Sequence, residues 1–329
     1  MKAALYRRKG PARDVIEIET LKADDPAASE IRVRLMTSGV NPSDVKLRAG
    51  VSVGGMTMPF PAVIPHSDGA GVVDAVGKGV SRFREGDRVW VYNGGWQRAF
   101  GTAAEYIVLP EAQVNPLPEK VSFAHGACLG IPGLTAVHAV TRGGDLNGRT
   151  VLISSGGGVV GRYCIEVARA LGAAQIITTA SSDQSRETAQ NAGADVILDY
   201  RDPDLGDAIM EASGGIDHAV EAEFGVNAAM LARVINPCGS IASYGSALDK
   251  TPTLPFYDMM FKNIRLDLLL VYLLNEKDRA AATTVLLDLL EAGAITENIA
   301  ATLPLADCAT AHEKVEASNK SGSVILDCS

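Results

Sequence analysis

Gly156, Gly158 and Gly161, within the run Gly156-Gly157-Gly158-Val159-Val160-Gly161, match the pattern G-x-G-x-x-G. The pattern alone is weak, and its setting gives it weight. An apolar strand over 150–154 precedes it, and a helix over 161–171 follows with Val160, Cys164, Val167, Ala168 and Leu171 on one stripe. In that setting Gly156 permits a tight turn, Gly158 lets backbone N–H groups approach a pyrophosphate, and Gly161 lets the helix pack on the sheet. The helix N-terminus adds partial positive charge for the phosphates. A ligand-free glycine turn is the plain alternative.

Cofactor choice is read about 20 residues on, where NAD-binding chains place an acid on the ribose 2′-hydroxyl. Here the sequence runs Thr178-Thr179-Ala180-Ser181-Ser182, and the first carboxylate is Asp183. Ser181 and Ser182 can hydrogen-bond a 2′-phosphate and Arg186 can pair with it, which favours NADP(H). A solvated first-turn arginine is the alternative for Arg186. Metal chemistry finds less support, because a catalytic zinc takes about three protein ligands and a structural one usually four. His66 and Asp68 lack partners at a recognisable spacing, Tyr92 to Tyr106 holds no cysteine, and His125, His138, His218 and His312 stand singly. They read as structural, and no zinc is expected.

The elements that must position these residues fall into two textures. Up to about residue 120 the chain is β-rich: Ile31, Val33 and Leu35 alternate with Arg32 and Arg34, and glycines 69, 71, 77, 79 and 86 punctuate short valine strands. From about 123, strands at 150–154, 174–178, 196–198, 217–220 and 239–244 alternate with helices, which implies a doubly wound parallel sheet. Helices at 280–292 and 306–318 and a strand at 323–327 follow, and that strand could return to the first domain. The expected division is residues 1–122 with 276–329, and 123–275.

The 329 residues, 47% hydrophobic and 21% charged, describe a globular protein, and a net charge of -9 argues against nucleic acid or an anionic membrane as partner. The five scattered cysteines suit a reducing compartment. No apolar stretch follows the first residues as in a signal peptide, and the greasy run 266–274 is too short to span a bilayer. A cytoplasmic location is the expectation.

The β-rich motifs then add up. Ser38-Gly39-Val40-Asn41-Pro42-Ser43-Asp44, His66-Ser67-Asp68-Gly69-Ala70-Gly71 and Phe83-Arg84-Glu85-Gly86-Asp87-Arg88-Val89 resemble the medium-chain dehydrogenase/reductase superfamily. Gly101-Thr102-Ala103-Ala104-Glu105-Tyr106 and Gly130-Ile131-Pro132-Gly133-Leu134-Thr135-Ala136 are similar to its quinone oxidoreductases related to zeta-crystallin, and the likeness runs to Ser321-Gly322-Ser323-Val324-Ile325-Leu326. The resemblance implies an α/β protein: a GroES-like catalytic domain from both chain ends, a Rossmann domain between them, and a cleft for the nicotinamide. It places Asn41 where zinc-dependent members have a cysteine ligand, Ser67 where they have a histidine, and Ile131 or Pro132 near the third ligand.

Without a metal to polarise an unactivated carbonyl, hydride would go to a quinone or a conjugated enone or enal. The resemblance makes Asn41, then Asp44, the candidates to hold the nicotinamide ribose or a substrate oxygen. An Asx-capped turn is the plain reading of the same residues. It also implies Thr135 near the nicotinamide, Tyr200 against the adenine, Gly245 and Ser246 past a later strand, and Leu270, Val271 and Tyr272 beside the carboxamide. Two departures stand out: the family's Ala-x-Gly-Gly-Val-Gly loop has Gly156 and Val159 here, and a tyrosine after the Asn-Pro motif is Lys46. A trans-2-enoyl-thioester reductase is the second enzyme reading, although its catalytic tyrosine would fall near Ser52. An NADPH-binding structural or regulatory protein is the non-enzymatic one. A homodimer through the apolar run 266–274 is expected.

Overall fold

The computed structural model describes residues 1–51, 55–317 and 322–329. Ser52, Ser318 and Ser321, which figure in the expectations above, lie outside the described residues. The backbone forms two units, Met1–Ile131 with Thr296–Ser329, and Pro132–Ile295.

In the first unit, strands β1 (Lys2–Leu5), β2 (Glu17–Thr20), β3 (Glu30–Val40), β4 (Asp68–Val76), β5 (Arg88–Val91), β6 (Tyr106–Pro110) and β7 (Val114–Pro116) come from its N-terminal part. The period-2 pattern on β3 works as expected: Ile31, Val33 and Leu35 are buried in one core while Arg34 is exposed. The second unit contributes β8 (Thr150–Ile153), β9 (Gln175–Thr179), β10 (Val196–Leu198), β11 (Ile216–Glu221), β12 (Ile235–Ser243) and β13 (Arg265–Leu268). The chain then returns to the first unit with β14 (Ile299–Pro304) and β15 (Ser323–Asp327). β15 pairs antiparallel with β3, Val324 opposite Val40 through Asp327 opposite Thr37, as the final-strand reading anticipated. The sheet order is β14-β15-β3-β4-β5-β7, with β6 on β3.

The second unit is one parallel sheet ordered β10-β9-β8-β11-β12-β13. Counted from its own first strand this is 3-2-1-4-5-6, the Rossmann order, whose direction reverses between β8 and β11. Val151, Leu152 and Ile153 are at most 1% exposed, as a parallel strand covered on both faces requires. The helix Val159–Ala170 begins two residues before its expected start, so Gly161 is helical. The helix Glu276–Ala292 packs on Leu134–Thr141 and therefore belongs to the second unit, moving the boundary from 275 to 295. Among the described residues no helix is long and apolar enough to cross a membrane.

Candidate functional site

The glycine loop leaves β8 at the point where the strand order reverses. Its glycines differ in what they spare. A Cβ on Gly156 would lie 2.1 Å from Thr178 Oγ1, and one on Gly161 would lie 2.2 Å from the Ser155 carbonyl oxygen, so these two hold the turn closed. A Cβ on Gly158 would meet only the Ser155 oxygen, at a tight 3.2 Å, and Gly158 is exposed. Gly158 is also the N-cap of the helix Val159–Ala170 and brings no side chain to its first-turn N–H groups. Those donors, with the helix dipole behind them, form an anion cradle. Gly157 packs against Ser185, and Val159 and Val160 are half-buried.

Beside the loop, Ala180 is buried past the end of β9 and no carboxylate stands there. Ser181 is half-buried, its hydroxyl donates to the Tyr200 hydroxyl at 3.0 Å, and Tyr200 is 57% exposed. Ser182 caps the next helix by accepting from Ser185 N at 3.2 Å. Arg186 Nη1 donates to the Ile197 carbonyl at 3.1 Å, so part of its guanidinium is spent on β10. The cation that reaches Ser181 is Arg201, whose Nη2 donates to the Ser181 carbonyl at 3.0 Å while paired with Asp199. That hydrogen-bonded pairing pulls the Asp199 carboxyl down to about 2. Arg201 was not foreseen, because no rule assigns the residue three beyond a strand's end and no local pattern marked it. Elsewhere in this unit Thr135 is buried on the helix Leu134–Thr141. Gly245 accepts from Phe224 N at 2.9 Å, and Ser246 accepts from Gly225 N at 2.9 Å. Val271 and Tyr272 lie in a single 3-10 turn capped by Leu270.

The first unit has its own polar cluster. Asn41 caps the helix Pro42–Ala49, and Asp44 Oδ2 accepts from Asn41 N at 2.8 Å, the reciprocal bond of a capping box. The capping geometry is thus present, and the Asn41 side chain also reaches a second acid: Nδ2 donates to Asp68 Oδ2 at 2.9 Å. Ile131 N donates to the same oxygen at 3.0 Å. Gly130 makes room for this, because a Cβ there would lie 2.2 Å from Asp68 Oδ1. Asp68 is fully buried. Burial, aided by the Asp44 charge, holds its carboxyl well above the usual range, against the bonds from Ile131 and Asn41. Lys46 points to solvent, which fits an ordinary solvated lysine.

His66, which has no partner at a recognisable sequence spacing, finds one in space. His66 Nε2 lies 2.9 Å from His312 Nε2, and the two residues are 246 positions apart, beyond the reach of any spacing rule.

Burial pushes the Asp44 carboxyl up to about 7, only partly offset by the bonds from Asn41. An unfolded aspartate ionises near pH ~3.9, so the native state binds this proton more tightly. Below that pH both states are protonated. The fold then loses stability as the pH rises towards 7, and the full penalty, roughly 4 kcal/mol at most, applies above it. Asp44→Asn should therefore flatten the decline in stability between pH 4 and 8 and be the more stable protein at pH 8. Urea melts across that range would show it, and an unchanged slope would remove Asp44 as the cause.

Residues 27–119 match the family model described as alcohol dehydrogenase GroES-like domain, and residues 159–288 the one described as zinc-binding dehydrogenase. A quinone oxidoreductase of Rattus norvegicus is 27% identical over 92% of this chain and 90% of its own length. A 2-methylene-furan-3-one reductase of Solanum lycopersicum is 30% identical over 76% of this chain and 68% of its own. Among solved structures, an NAD-dependent alcohol dehydrogenase superposes with TM-score 0.88 at 29% identity, and a mycobacterial protein solved with NADPH with TM-score 0.85 at 25% identity, each covering 99% of both chains. With a GroES-like unit, a Rossmann unit and these relatives, the chain belongs to the medium-chain dehydrogenase/reductase superfamily, in its quinone oxidoreductase branch.

Proposed function

We propose that this protein is an NADPH-dependent oxidoreductase that delivers hydride to a quinone or an α,β-unsaturated carbonyl without a catalytic zinc. The observation that carries the reading is the Asn41 amide, bonded to Asp68 at the position where the resemblance implies a thiolate ligand in zinc-dependent members. Ser67 and Ile131 or Pro132 at the other two ligand positions are equally unsuited to hold zinc.

The second unit fits the cofactor. The open Gly158 cradle and the uncapped helix N-terminus would hold the pyrophosphate. Ser181, Ser182, Arg201 and Arg186 would take the 2′-phosphate, and Tyr200 the adenine. Thr135, Gly245, Ser246, Leu270, Val271 and Tyr272 would line the nicotinamide half. NADPH when bound supplies the hydride. The chain's share is binding and orientation. Asn41 Nδ2 carries two hydrogens and gives one to Asp68, which fixes the amide plane and leaves the other for a ribose hydroxyl or an acceptor oxygen.

NADPH oxidation measured with 1,4-benzoquinone, an alkenal and crotonyl-CoA separately is expected to be fast with one of the first two. Turnover of crotonyl-CoA alone would make the protein a thioester reductase. NADPH binding with no turnover of any acceptor would leave a cofactor-binding protein. Arg201→Ala and Arg186→Ala should each weaken NADPH by about tenfold or more and NADH little, since a charge-assisted bond is worth about 1.5–3 kcal/mol. Equal losses for the two cofactors would move the 2′-phosphate elsewhere, and preference for NADH would align the protein with the NAD-dependent neighbour.

A homodimer is part of the same reading. Edge strand β13 and the segments beside it expose Leu268 (74%), Leu273 (66%) and Phe261 (82%), apolar surface that monomers seldom leave uncovered. Sedimentation of Leu268→Lys should shift the protein towards monomer; an unaltered mass would place any interface elsewhere.

A further inference from the structure

Cys308 and His312 lie one turn apart, at i and i+4 on the helix Cys308–Glu316, so a single helix face presents a thiol and an imidazole together. His66 comes to meet them with its backbone at φ 76°, a left-handed conformation unusual for a residue with a Cβ. Its ring stacks on that of His312 at 5.1 Å between centroids. The ligand atoms of His66, Cys308 and His312 all lie within 4.8 Å of one another, and none of the three residues is more than 1% exposed.

The hydroxyls around His66 fix which of its nitrogens carries the proton. Thr102 Oγ1 donates to the Asp68 carbonyl at 2.6 Å, so its hydrogen is spent. Ser38 Oγ, 2.8 Å from Thr102 Oγ1, must then be the donor in that pair. Ser38 has one hydrogen, so at its 2.9 Å contact with His66 Nδ1 it accepts. In a neutral imidazole this leaves His66 Nε2 as a bare lone pair pointing at His312 and Cys308. An outward Nδ1–H held by a polar partner, with Nε2 turned inward, is the arrangement of metal-ligating histidines. On the other ring, His312 Nδ1 is buried and, among the described residues, has no hydrogen-bond partner.

We propose that His66, Cys308 and His312 form a buried site for a divalent cation that prefers thiolate and imidazole, Zn2+ above all. Two nitrogens about 2.0–2.1 Å from a tetrahedral zinc, with sulfur at about 2.3 Å, sit somewhat further apart than the 2.9 Å between these Nε2 atoms. Closure needs the rings to part by a few tenths of an ångström and the Cys308 sulfur to swing inward. On binding, the Cys308 S–H proton leaves to solvent as the Zn–S bond forms, and the His312 proton moves from Nε2 to Nδ1. The ion would tie the helix Cys308–Glu316 to the turn at His66. None of the three residues is one of the ligand positions of zinc-dependent relatives that the resemblance implies, and the proposal does not rest on the hydride-transfer reading.

The test uses the whole protein, stripped with a chelator and reloaded with Co2+ or Zn2+. Elemental analysis should find about one ion per chain, with a near-ultraviolet thiolate-to-cobalt band and a higher unfolding midpoint. Cys308→Ser should abolish the band and weaken Zn2+ by more than about 100-fold. Should that variant fail to fold, His312→Gln should still lose the ion. Cys238→Ser, which removes the exposed thiol, should keep both ion and band. Absence of the band in the parent protein, or its survival in Cys308→Ser, would reduce the cluster to a neutral histidine pair packed on a core cysteine.

Discussion

Gly158→Asp is expected to weaken NADPH binding by at least about 100-fold while leaving the unfolding midpoint unchanged or raising it. The two effects have opposite signs because they draw on different properties of the same position. At φ −80° and ψ 166° the residue has the extended backbone of a helix N-cap, and a Cβ there meets nothing closer than 3.2 Å. Aspartate is among the best N-cap residues, and over glycine it adds a few tenths of a kcal/mol plus its attraction to the dipole. The same carboxylate would occupy the cradle that we assign to the pyrophosphate. It would compete for the first-turn N–H groups and repel the phosphates, and about 2.7 kcal/mol of lost binding suffices for 100-fold. Cofactor titration beside thermal melts reads both quantities. Retained NADPH affinity in a well-folded variant would move the pyrophosphate off this loop. Gly161→Ala is a poorer test, since its Cβ strikes the Ser155 carbonyl and would damage fold and binding together.

The second large effect is expected from Asn41→Asp. The substitution preserves shape and replaces an amide donor, 2.9 Å from Asp68 Oδ2, with a second carboxyl. Asp44 already bonds Asn41 N, so three acids would share one buried site. Carboxyls in such contact cannot all ionise. At pH 8 the variant should lose about 3–5 kcal/mol, the range measured when a buried charge loses its partner. The penalty should shrink towards pH 5, because an acid whose native pKa is raised destabilises the fold only above its unfolded pKa. Turnover should fall by about 100-fold even at the lower pH if the Asn41 amide orients cofactor or acceptor, since small misplacements carry that cost. Equal stability at pH 5 and pH 8 would show that the carboxyls do not meet. A stable variant with full turnover at pH 5 would remove Asn41 from the reaction.

What could be read from the sequence was what neighbours in sequence decide. The alternation on β3, the strand–loop–helix around Gly158 and the missing acid at Ala180 are local, and each was legible. The helix start at Val159 and the extent of β12 were misjudged by a few residues, as is usual where caps rather than cores set an end. Strand β13 was seen only as a greasy run, because the alternation Arg265-Leu266-Asp267-Leu268 lasts only four residues and merges into the apolar stretch up to Leu274. Arg201 and the His66–His312 pair depend on chain segments meeting in space, which no spacing could supply. A weak signal for the latter did exist in Cys308-x-x-x-His312, half of a ligand set on one helix face.

The pairing of β15 with β3 has a consequence for synthesis. The second unit lies wholly between these two strands in the chain, so its parallel sheet can close while β3 still waits for its neighbour. A nascent chain emerging from the ribosome would thus complete the nucleotide-binding half first and carry the Thr37–Val40 end of β3 with an open edge until residues 323–327 arrive. During that interval the unfinished edge is a template for mispairing, and early closure of the other half, or a chaperone, would be its protection.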